Sequence, residues 1–170
     1  PHVERGIIPR VIDHIFKTVQ KEKERFDFLI RVSYIEIYNE NLKCLLSPKS
    51  TVTLREHESK GVIVMGAKEE IVENTEDMYR CLETGALYRT TGSTLMNQQS
   101  SRSHSVFTIF LEKRAKDSIY GEKDGKDTSS AFTTAKFHLI DLAGSERNKR
   151  TNTTGIRFKE AIQINHIRKV

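Results

Sequence analysis

Asp141 and Gly144 close the apolar run Phe137-His138-Leu139-Ile140-Asp141-Leu142-Ala143-Gly144, a pattern with a direct chemical use. An apolar strand that ends in an acid, followed by two residues and a glycine, places a carboxylate beside a magnesium ion and a backbone N–H near a terminal phosphate in nucleotide-hydrolysing sheets. Glycine suits the last position because any side chain would stand between that N–H and the phosphate. Taken alone, these residues read equally well as a strand closed by an ordinary turn. A second segment, Asn97-Gln98-Gln99-Ser100-Ser101-Arg102-Ser103-His104, gathers hydroxyls, a guanidinium and an imidazole. Hydroxyls can bind magnesium and hold an attacking water, and Arg102 can stabilise phosphate or pair with a carboxylate such as Glu146. By itself a serine-rich stretch is usually only a loop. His104 reads as a structural hydrogen-bonding residue rather than a general base.

The elements around these segments follow from apolar spacing. Pro9 opens an amphipathic helix with Val11, Ile12, Ile15, Phe16 and Val19 on one face. Phe26 to Tyr38 is a long strand in which Phe28, Ile30, Val32 and Tyr34 alternate with Asp27, Leu29, Arg31 and Ser33. Leu42 to Leu46 is expected as a short helical turn stopped by Pro48. Val52 to Arg55 and Val62 to Ala67 are expected to form a hairpin around Glu58 to Gly61. Asn74 followed by Asp77 starts a helix to about Arg89, with Met78, Cys81, Leu82 and Gly85 facing inward. Thr90 to His104 is expected as a loop, Val106 to Glu112 as a strand, and Ala115 to Ser130 as a solvated hairpin connection. Ala135 to Asp141 is a further strand, followed by a basic, threonine-rich loop and a helix from about Arg157 or Phe158. Helices interspersed with strands and no internal repeat point to one layered α/β domain.

NQQSSRSH followed at this spacing by DLAGSER resembles the two phosphate-sensing switch loops of the kinesin motor domain. GIIPRVIDHIF, VSYIEIYNENLKCLL and FKEAIQIN resemble the same family, so the likeness runs over nearly the whole chain, with wording most similar to a chromokinesin-like subgroup. The resemblance implies a partial P-loop NTPase fold, a mixed central sheet flanked by helices. It also implies ATP and Mg2+ as cofactors, hydrolysis coupled to movement along microtubules, and a cytoplasmic, cytoskeletal setting. Ser100 and Ser101 would contact the magnesium, the lytic water or the γ-phosphate, with Asn97 among the nucleotide-binding residues. Asp141 would hold magnesium through water, Gly144 would sense the γ-phosphate, and Arg102 would pair with Glu146. Arg147, Lys149, Arg150, Arg157 and Lys159 would face tubulin, although Asn152 and Thr154 stand where the family commonly has glycine and glutamate.

The sequence holds no G-x-x-x-x-G-K-S/T phosphate cradle. Gly61 to Gly66 has the glycine spacing but Ala67 replaces the lysine and the interior is apolar. Gly121 to Lys126 is one residue short and ends in Asp127. In the family the cradle precedes GIIPR, so the expectation is a single domain, 1–170, truncated at both ends. It would lack the phosphate-loop strand and the C-terminal helices, expose an apolar edge at the strand ending in Asp141, and be a poor ATPase by itself.

Composition limits the alternatives. Net charge is +5, and Arg147 to Val170 alone carries seven Lys/Arg against Glu160. That tail favours a polyanionic partner. A non-catalytic microtubule-binding fragment is therefore a second reading. Nucleic acid is a remote third, because the basic residues are not interleaved with aromatics. A GTPase reading lacks a following N-K-x-D. The longest apolar runs are a few residues, which excludes a membrane-spanning helix, and the N-terminus has no signal-peptide core. Cys44 and Cys81 lie far apart without metal-ligand spacing and read as small buried side chains.

Overall fold

The computed structural model describes residues 6–59, 61–91, 102–116 and 132–144. The first helix, α1 (Ile7–Glu22), begins after an extended Gly6, and Pro9 falls within its first turn, where a backbone donor has no helical partner to lose. Its apolar stripe buries Ile12 and Phe16. The long strand β1 (Phe26–Tyr38) follows. Asn39 and Glu40 then take positive φ of 50° and 63°, the conformation of a tight two-residue hairpin turn. The chain returns as β2 (Asn41–Cys44), with Tyr38 opposite Asn41 and Ile35 opposite Cys44. This corrects the helical turn expected over Leu42 to Leu46. Asn39 tolerates the left-handed region, and once the chain has reversed, the ladder to β1 satisfies the backbone that a helical turn would otherwise occupy.

The expected hairpin forms from β3 (Thr53–His57) and β4 (Gly61–Met65) as a separate two-stranded sheet. Next, β5 (Glu70–Ile71) pairs with Val32 and Arg31, so it shares with β2 the β1 edge away from the sheet centre. The second helix, α2 (Thr75–Thr91), is capped by Asn74, whose Oδ1 accepts the Asp77 N–H at 2.8 Å. The Asp77 carboxylate accepts the Glu73 N–H at 3.2 Å. Met78, Cys81 and Gly85 are buried as the inward stripe predicts.

Two long strands complete the main sheet: β6 (His104–Ala115) and β7 (Phe132–Asp141), both longer than their apolar stretches suggest. The order is β2-β1-β6-β7 and every pairing among the described residues is antiparallel. Both helices contribute to one core with Ile30, Val32, Phe107 and Ile109 of the sheet. A salt bridge from Lys113 to Glu22 fastens the end of α1 to β6. Cys44 and Cys81 are free and buried, and burial pushes the Cys81 thiol up, as expected of inert core residues.

At the other side of the main sheet β7 is an edge strand among the described residues, and Phe137, Ile140 and Leu142 are exposed. Beside it, a groove of 560 Å³ opens between α1 and the strands, lined by Val11, Ile15, Ile109, Leu111 and Phe137. Among the described residues the strand ending in Asp141 thus presents an apolar edge, as expected.

Candidate functional site

Register carries the sheet's core face from apolar to polar. Reading across β1, β6 and β7, Val32, Ile109 and Phe137 form one row, and Tyr34, Phe107 and Leu139 form the next. The row after that is Glu36, Ser105 and Asp141. Residues directly opposite on paired strands share a face, so these three side chains line up at the end of the sheet.

Arg89, near the C-terminus of α2, bridges this row. Its Nη1 donates to Asp141 Oδ2 at 2.8 Å and to Ser105 Oγ at 3.3 Å, and its Nε lies 3.8 Å from Glu36 Oε1. The other arm, Nη2, donates to the Ser103 carbonyl at 3.0 Å. Glu36 is only 2% exposed, whereas the Asp141 side chain is 70% exposed. A buried carboxylate needs a cation close by, and the planar fork of arginine can serve two acids and a carbonyl together.

A second link ties the turn after β7 to the start of β6. Ala143 N–H donates to His104 Nδ1 at 3.1 Å, with both residues buried. Accepting at Nδ1 assigns the ring proton to Nε2 in the neutral tautomer. His104 thus takes the structural role expected of it, and it holds the backbone immediately before Gly144.

Of the residues singled out from sequence, Asp141, Gly144 and Arg102 fall within the described residues. Asp141 closes β7, Gly144 is exposed just beyond it, and Arg102 is half-buried in the turn before β6. Asn97, Ser100, Ser101, Glu146, Arg147, Lys149, Arg150, Arg157 and Lys159 lie outside the described residues, as do the expected loop before Ser101 and the helix near Phe158. Gly61 to Gly66 is β4 and its closing turn, not a phosphate cradle. Two residues of the site were missed. Glu36 is the acid at the next inward position after Ile30, Val32 and Tyr34, and Arg89 falls four residues after Gly85 on the inward stripe of α2. An acid and a base, each at a position its element turns to the core, were the available signal.

Among the described residues no group of three or more His, Cys, Asp or Glu side chains is placed to hold a metal. One solvent-open carboxylate, steadied at its other oxygen, fits a magnesium ion that keeps most of its waters and takes further ligands from phosphate.

The described residues form an antiparallel sheet with two helices packed on it, and Arg89 ties the strand that ends in Asp141 to Ser103 and Ser105. The sequence model of the kinesin motor domain matches residues 1–167, and the chain belongs to that family. It is 46% identical over 163 residues to the human chromosome-associated kinesin KIF4A, which covers 94% of this chain and 12% of that protein. It is 45% identical over 165 residues to mouse kinesin-like protein KIF27, covering 95% of this chain and 12% of that protein. Among solved structures, a fast kinesin superposes with a TM-score of 0.78 at 33% identity, covering 95% of this chain and 43% of the other. A dimeric KIF14, in a two-heads-bound state with AMP-PNP and in complex with a microtubule, superposes at 0.76 and 31% identity, covering 98% and 46%. The chain thus spans about an eighth of the curated relatives' length and under half of the solved chains.

Proposed function

We propose that this chain is the switch-bearing part of a microtubule motor that couples ATP hydrolysis to movement. The observation that carries the reading is Arg89 joining Asp141 to Ser103 and Ser105, which ties the end of the DLAG strand to the residues just after Ser101. A Mg2+-nucleotide bound there supplies the phosphoryl electrophile and the charge neutralisation of its departing phosphate. Asp141 would hold the ion through water, its carboxylate fixed by Arg89. Ser100 and Ser101 offer hydroxyls to the ion, the γ-phosphate or the attacking water, with Asn97 beside the nucleotide. The Gly144 N–H would face the γ-phosphate, with the His104 bond to Ala143 holding the backbone just before it. Arg102 pairs with Glu146 to close the site. The basic residues Arg147, Lys149, Arg150, Arg157 and Lys159 contact the acidic surface of tubulin, a reading supported by the microtubule complex of the KIF14 neighbour.

With no phosphate-cradle motif in the sequence, the 170-residue chain alone lacks several charge-assisted hydrogen bonds to phosphate, each worth roughly 1.5–3 kcal/mol. Its own behaviour is track binding with little turnover. Two assays on the purified chain test this. Co-sedimentation with microtubules should be clear at low salt and fall steeply as salt rises. Microtubule-stimulated phosphate release should stay far below a motor's rate. Absent or salt-insensitive pelleting overturns the track contact, and motor-like turnover overturns the need for the cradle.

A further inference from the structure

Gly85 lies on the stripe of α2 that faces the sheet, one turn before Arg89. A Cβ at Gly85 would overlap the ring of Tyr34 on β1 at its Cδ1 and Cε1 atoms. The half-buried ring is held on its other side, because it stands edge-on against Phe107 with centroids 5.3 Å apart and packs against the core that holds Met78 and Cys81. Two residues further along the same face, β1 presents Glu36. Four residues of helix rise about 6 Å and two residues of strand about 6.6 Å, so a helix seated with Gly85 over Tyr34 brings Arg89 over Glu36.

We propose that Gly85, by letting α2 rest directly on the Tyr34 ring, is a positioning residue for Arg89 and through it for Asp141. The functional consequence rests on reading Asp141 as the carboxylate of a phosphate site. A methyl group at position 85 would lift or slide α2. Hydrogen bonds of 2.8 Å to Asp141 and 3.0 Å to Ser103 do not survive a displacement of about 1 Å in good geometry. Glycine is otherwise a poor choice inside a helix, where alanine at an unconstrained position stabilises.

The test follows the Arg89 side-chain N–H signal of the full 170-residue chain by NMR, assigned through Arg89→Lys, together with thermal unfolding. Gly85→Ala should lose the exchange protection of that signal by tenfold or more. In a Tyr34→Val background, which removes the ring atoms the new methyl would strike, Gly85→Ala should retain the protection. This second comparison also decides the matter if Gly85→Ala alone fails to fold. Protection retained in Gly85→Ala with Tyr34 present, or lost irrespective of Tyr34, overturns the proposal. No nucleotide is needed for this readout. Failure of Mn2+-ATP to affect Asp141 in the unaltered chain would instead refute the phosphate-site reading and leave the arginine result standing.

Discussion

Arg89 Nη1 and Asp141 Oδ2 lie 2.8 Å apart although 52 residues separate them, and this bond joins the last turn of α2 to the end of β7. The same guanidinium lies 3.8 Å from buried Glu36. One side chain therefore neutralises charge inside the sheet and steadies a carboxylate outside it.

Removing Arg89 should cost stability as well as geometry. Arg89→Ala withdraws the arginine from a carboxylate that is 2% exposed, and loss of about 3 kcal/mol is expected in urea unfolding. Arg89→Lys should recover only part, since an ammonium cannot reproduce the fork. Combining Arg89→Ala with Glu36→Gln should cost less than Arg89→Ala alone; additive losses would contradict the pairing.

The His104 bond makes a local prediction. His104→Ala leaves the buried Ala143 N–H without its acceptor, at a cost of about 1–3 kcal/mol. Amide exchange at Ala143 should accelerate more than at neighbouring β7 positions. Unchanged exchange there would contradict the link between the DLAG turn and β6.

These two sites also mark what could be read from sequence. The spacing of α1, β1 and α2 shows in apolar periodicity because each buries one face against the same core, whereas the exposed β3–β4 hairpin shows through its β-rich composition around the Glu58 to Gly61 turn. The strand β2 does not, since Leu42 to Leu46 has no decisive period and its turn, Asn39-Glu40, lacks the glycine that usually announces a hairpin. Asp141 and Gly144 were legible because their motif is local. Glu36 and Arg89 come together only through the register of three strands and the seat of a helix, information spread over more than a hundred residues.

Acid should loosen the start of α2 and the end of α1. The Glu73 N–H holds the Asp77 carboxyl below its ordinary range, opposed by partial burial and assisted by Arg80. The hydrogen bond from Lys113 lowers Glu22 in the same way, again against burial. A carboxyl with a depressed folded pKa gives stability that is present above the unfolded value of about 4 and is lost as pH falls through the folded value. Asp77→Asn should therefore destabilise at neutral pH, with the difference from the unaltered chain shrinking below about pH 4. A difference that is constant with pH would contradict this.

Among the described residues β7 has no strand on its outer side, and this edge should make the isolated chain self-associate. Ile140 is 58% exposed on an edge strand, and Ile140→Lys should raise the concentration at which light scattering appears. No change in scattering would show that association runs through another surface.

The most direct measurement is paramagnetic broadening by Mn2+-ATP in the full chain, which registers even millimolar binding. The account predicts that amide signals of Ser101 to Ser105 and of Asp141 to Gly144 broaden together, and that Asp141→Asn weakens both. Broadening of one segment without the other, or of neither, would contradict it.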